Sequence, residues 1–109
     1  MTAHRPGLHR IRGAAVHGAD VPGARHVEGG STKADVIRAI YRAVAAPAWA
    51  APNLDGLADV LRDLSWLPPG PVVLIWPDPG DKAIVDVVRR TAAESGTSDR
   101  PLTVYLDDP

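Results

Sequence analysis

The 109-residue sequence has no cysteine, which excludes disulfides, thiol nucleophiles and thiolate metal sites. Phenylalanine is absent and aromatics make up only 5% of the chain, so the core has to rest on Leu, Val, Ile, Ala and three tryptophans. No apolar run approaches the roughly 20 residues of a membrane span. An excess of one charge is lacking too: the net charge of −1 leaves no global field of the kind that marks a nucleic-acid binder. Met1 to Arg12 alternates basic and polar residues without the apolar centre of a signal peptide, so a soluble cytoplasmic protein with no membrane partner is expected. Gly29-Gly30 lacks both the lysine–hydroxyl pair of a phosphate loop and the dinucleotide-binding spacing. Ser31 and Ser65 lack a nucleophile-elbow context. His4, His9, His17 and His26 all fall early in the chain, none with a histidine or carboxylate four residues on along a helix. No catalytic residue, metal or cofactor is therefore expected.

What is there is ordinary in bulk and uneven in detail. The apolar fraction of 45% and charged fraction of 23% suit one soluble domain with a modest core. Eleven prolines and ten glycines predict short, frequently interrupted elements. Residues 1–33 hold five Arg/Lys against two acids, whereas residues 34–109 hold seven against eleven. The acidic part argues against a polyanion as direct ligand. Residues 1–22 read as an irregular N-terminal extension, with only a weak edge-strand signal at Leu8, Ile11 and Val16, and residues 23–109 as the domain. A short strand is expected from Ala24 to Glu28. A helix capped by Thr32 follows, with Val36, Ile37, Ile40 and Val44 on one side. Val72-Val73-Leu74-Ile75-Trp76 reads as a strand covered on both faces, Asp81 to Ser95 as a helix closed by Gly96, and Leu102 to Leu106 as the last strand. This alternation predicts an α/β fold, a small single domain with a three-stranded, mainly parallel sheet packed with three to four helices.

The most informative stretch runs from Trp49 to Trp66. Pro47 and Pro52 confine Ala48 to Ala51 to a non-helical loop, and Asn53 is placed to cap the helix that follows. In that helix Leu54, Leu57, Leu61 and Leu64 form an apolar stripe, and Asp55, Asp59 and Asp63 share the opposite ridge. Only Arg62 stands beside the ridge to neutralise it. Gly56 sits where a helix prefers Ala by about 1 kcal/mol, so its bare Cα is expected to let a partner approach closely. Trp66 follows the stripe and reads as structural. Trp49, in a loop of small residues, reads as a contact. An acidic ridge beside an aromatic suits a cationic partner, or a protein that replaces a phosphate. Carboxylate catalysis is the competing reading, and it requires a cleft with one acid desolvated.

The run from Pro47 through Leu61 resembles the signature of the barstar family of intracellular ribonuclease inhibitors. The resemblance rests on Trp49, Asn53-Leu54-Asp55-Gly56-Leu57 and Asp59, and extends over roughly residues 24–106. It implies a non-enzymatic inhibitor, monomeric when free, whose partner is a secreted or toxin ribonuclease. By position, Asp59 is the dominant contact, entering the ribonuclease's cationic phosphate pocket; Asp55 is a second acidic contact and Trp49 covers the active site. Asn53, Gly56 and Ala58 complete the implied partner-binding set. Three departures stand out: Ala50-Ala51-Pro52 replaces an aromatic, a glycine and the residue after it, Ala58 stands where the family often has tryptophan, and neither Arg90 nor Thr91 supplies the acid expected in the last helix. These departures favour the alternative of a binding module with immunity or regulatory function toward a different basic protein.

Overall fold

The computed structural model describes residues 6–11, 23–77 and 81–107. In chain order the elements are strand β1 (Gly7–Ile11), strand β2 (Arg25–His26), helix α1 (Lys33–Ala43), helix α2 (Leu54–Asp63), strand β3 (Val72–Trp76), helix α3 (Lys82–Glu94), a 3-10 turn (Ser95–Thr97) and strand β4 (Leu102–Asp107). The strands form one parallel sheet in the order β1-β4-β3-β2. No helix among the described residues is long and apolar enough to cross a membrane.

The helices begin where the sequence chemistry directs. The Thr32 side chain accepts from the Asp35 amide, Asn53 Oδ1 from the Gly56 amide at 2.7 Å, and Asp81 Oδ1 from the Ala83 and Ile84 amides. β3 is buried along its whole length, as its unbroken apolar run requires for an interior parallel strand. Its register opposite β4 pairs Val72 with Leu102, Leu74 with Val104 and Trp76 with Leu106. These side chains meet Ile37, Ile40, Leu57, Val60, Leu61, Ile84 and Val88 in the main core. Val73 and Ile75 point to the other face, with Ile11, Ala24 and Tyr105.

Four details differ from the sequence reading. Among the described residues the sheet has four strands rather than three. The fourth is β1, an edge strand at the weak signal of Leu8 and Ile11 in a stretch otherwise expected to be irregular, Val16 lying outside the described residues; it pairs along Thr103–Asp107 at the far end of the chain. Such non-local pairing leaves little local signature, especially for an edge strand carrying His9 and Arg10. β2 is shorter than Ala24–Glu28, although the Val27 amide still bonds to the Ile75 carbonyl. In α3, where helical spacing sets Ile84, Val87, Val88 and Ala92 inward, Val85 and Thr91 are buried as well while Val87 is only half-buried. Gly96 does not close α3: Ser95 does, because its hydroxyl donates to the Ala92 carbonyl and accepts from the Leu102 amide at 2.8 Å, tying the helix end to β4.

Candidate functional site

The site is built on α2 and on the loop that leads into it. Leu57, Val60, Leu61 and Leu64 bury the inner side of α2, while Leu54 is half-buried. Leu64 ends the helix in the left-handed region, at φ 51°, a conformation that costs a non-glycine residue about 1–3 kcal/mol. Its side chain is almost fully buried, and that burial offsets the strain. With the inner side fixed, Asp55, Asp59 and Asp63 are exposed together.

The cation beside the ridge is engaged elsewhere. Arg62, which the sequence places beside the three aspartates, turns instead to Glu94 of α3, Nε to Oε2 at 3.6 Å. Among the described residues none of the three aspartates forms an ion pair. All three lie at the surface, so the desolvated acid that a paired-carboxylate hydrolase needs is not supplied here.

Among the described residues Trp49 is the large apolar side chain left most open, 62% exposed. It stands edge-on to Trp66, ring centroids 6.3 Å apart and planes at 85°. Trp66 is anchored beneath it: half-buried, it donates from Nε1 to the Val44 carbonyl at 2.8 Å. The structural reading of Trp66 thus has a concrete form, as the platform against which Trp49 rests.

Gly56 corrects the expectation of open space. Its place is taken by the protein's own loop. A Cβ built there would lie 2.3 Å from the Ala51 carbonyl oxygen, 3.0 Å from the Tyr41 hydroxyl and 3.2 Å from the Ala51 carbonyl carbon. The bare Cα therefore admits the 47–52 segment. The same segment turns on itself through Ala50 N to Pro47 O and Asn53 N to Ala51 O. Asn53 caps α2 as its position predicts, its side-chain oxygen accepting from the Gly56 amide. Ala58 is half-buried and small, so it adds little surface beside Asp59.

Tyr41 is the residue that sequence reasoning missed. It sits four residues after Ile37, on the apolar stripe of α1, and that spacing was the available signal. Its ring is buried and its hydroxyl donates to the Ala51 carbonyl at 2.5 Å. Burial, and secondarily the negative charge of Asp59, raise its pKa above the usual tyrosine value. Tyr41 therefore lies within electrostatic reach of the ridge and in direct contact with the loop. In α3, Arg90 is exposed, while Thr91 is buried and spends its hydroxyl on the Val87 and Val88 carbonyls. The acid that α3 brings to α2 is Glu94, held by Arg62.

An uncompensated acidic helix face with an adjacent open tryptophan is a surface suited to protein recognition. The family model described as barstar (barnase inhibitor) matches residues 25–107. The chain belongs to the barstar family. No curated protein matches it. The barstar match begins at β2 and ends with β4, so it contains the loop, all three helices and the acidic ridge. The family is one of inhibitors rather than enzymes. In this barstar domain Gly56 and the Ala50-Ala51-Pro52 segment are coupled in space, because the Ala51 carbonyl occupies the place that a side chain at position 56 would fill.

Proposed function

We propose that this barstar-family protein is a cytoplasmic, non-enzymatic inhibitor that binds a ribonuclease and blocks its active site. Asp59 enters the cationic pocket that holds RNA phosphate, Asp55 makes a second acidic contact, and Trp49 packs over the rim. Ala58 flanks these contacts, and Asn53 and Gly56 shape the surface from below. The observation that carries the reading is the unneutralised Asp55–Asp59 pair beside a 62%-exposed tryptophan, in a chain of an inhibitor family. An enzyme that binds phosphate with cationic side chains is blocked competitively by a protein that presents carboxylates in the same geometry.

Isothermal titration against barnase, and against the barnase-type ribonuclease encoded by the same organism, tests this reading. Asp59→Ala is expected to weaken binding by more than about 2 kcal/mol, roughly thirtyfold in Kd. Unchanged affinity in that variant sinks the proposed mode. Association is also expected to slow as salt rises, because charge steering is screened. A second reading, a partner other than a ribonuclease, is favoured by Arg90, an exposed cation on α3 without an ion pair among the described residues. Recovery of a different basic protein by pull-down from the native host, with no titration against either ribonuclease, decides for it.

A further inference from the structure

The loop that carries Trp49 has few anchors of its own. Ala48, Trp49, Ala51 and Pro52 are all exposed, and the loop's two backbone hydrogen bonds span only two or three residues. Ala50 is half-buried against the core. Besides that packing, two contacts among the described residues tie the loop to distant parts of the chain. One is the edge-on packing of Trp49 on Trp66. The other is the hydrogen bond from Tyr41, ten residues earlier, to the Ala51 carbonyl. That carbonyl is pinned from three sides: by the Tyr41 hydroxyl, by the Asn53 amide, and by the bare Cα of Gly56 beneath it. Tyr41 also lies beside Asp59 closely enough for the aspartate's charge to bear on its hydroxyl.

We infer that Tyr41 is a positioning residue for partner recognition. It fixes the 47–52 loop against α2 so that Trp49 and Asp59 are presented at one set spacing. The inference rests on the inhibitor reading above. A loop held in its bound path before encounter avoids the entropy of ordering Trp49 on binding, and that gain appears in the dissociation rate. Tyr41 does not touch the partner in this scheme; it acts through Ala51.

Tyr41→Phe removes the hydroxyl and keeps the ring in the core. Two readouts are taken on it: nuclear Overhauser contacts between the rings of Trp49 and Trp66 in the free protein, and stopped-flow dissociation from barnase. Val88→Ala, a fully buried change on α3, serves as the stability control. The expected result is loss or marked weakening of the ring-to-ring contacts and roughly three- to tenfold faster dissociation in Tyr41→Phe. Val88→Ala is expected to lower the unfolding temperature while keeping the contacts and the parent dissociation rate. Retained contacts in Tyr41→Phe overturn the inference, whatever the rate does. Lost contacts with an unchanged rate overturn it as well, as does an equal rate change in Val88→Ala. If the parent protein does not bind barnase, the ribonuclease reading is what fails. The ring contacts then still decide whether Tyr41 sets the loop.

Discussion

Gly56→Ala puts two physical effects of opposite sign at one position. In an exposed helix interior, replacing glycine by alanine stabilises by about 1 kcal/mol, since the unfolded chain loses freedom and the helix gains none. Here the added methyl would lie 2.3 Å from the Ala51 carbonyl oxygen. An ordinary carbon–oxygen contact is about 3.3 Å, so the carbonyl has to retreat by about 1 Å. That movement strains or breaks its bonds to the Tyr41 hydroxyl and the Asn53 amide, each contributing about 1 kcal/mol. Forcing a methyl into an occupied space adds about 1–3 kcal/mol where neighbours cannot give. With both bonds lost and the helix-propensity gain subtracted, the net is a loss of about 2–4 kcal/mol, or roughly 4–8 °C in Tm for each kcal/mol in a domain of this size. Urea titration followed by tryptophan fluorescence measures it. Gly96→Ala is the control, because nothing lies within 4 Å of a Cβ there and its φ is not in the left-handed region; that change is expected to be neutral or stabilising. A Gly56→Ala protein more stable than the parent would refute the reasoning, and with it the claim that the loop rests on the helix at this residue.

Other consequences follow from the same structure. Ser95→Ala should destabilise by about 1–3 kcal/mol in urea titration, because the buried Leu102 amide loses its acceptor at the junction of α3 and β4; a neutral result means that water or another carbonyl replaces the hydroxyl. Stability should fall under alkaline conditions. Burial raises the hydroxyl pKa of both Tyr41 and Tyr105 above the usual tyrosine value, with the Asp59 charge adding to the effect on Tyr41. The folded state therefore holds these protons more tightly than the unfolded chain. The resulting stability is complete below about pH 10 and is lost as pH rises through the elevated folded values. Urea midpoints measured upward from about pH 9 should drop less steeply in Tyr41→Phe than in the parent, and parallel curves would count against the assignment.

The legible parts of the fold were those whose causes are local. Thr32, Asn53 and Asp81 announce helix starts through their own side chains, and the five-residue apolar run of β3 announces burial on both faces. The ridge followed from helical spacing alone. What remained hidden depends on residues distant in sequence. β1 becomes a strand only because β4, more than ninety residues later, offers it an edge. Arg62 looks like the counter-ion of the ridge until α3 packs alongside and supplies Glu94. Gly56 looks like an opening because helix periodicity carries no information about where the preceding loop crosses. Tyr41 shared a stripe with core residues, and only the fold brings its hydroxyl to Ala51.

These corrections bear on why the ridge exists. Aspartates at i,i+4 repel by a few tenths of a kcal/mol per pair, and Asp63 lies in the last turn, where the helix dipole also disfavours a negative charge. Arg62 is diverted to Glu94, so among the described residues no compensating pair forms for any of the three. Only Asp55, in the first turn, has a favourable dipole interaction. A structural origin for Asp59 is therefore weak, and its neutral isostere should be at least as stable. Asp59→Asn is expected to raise stability by about 0.2–0.5 kcal/mol while weakening the complex. Opposite movement of the urea midpoint and the affinity is the pattern of a residue kept for binding. A loss of more than about 1 kcal/mol in Asp59→Asn would instead make Asp59 part of the scaffold, and binding data on Asp59→Ala could no longer be read as the removal of a contact.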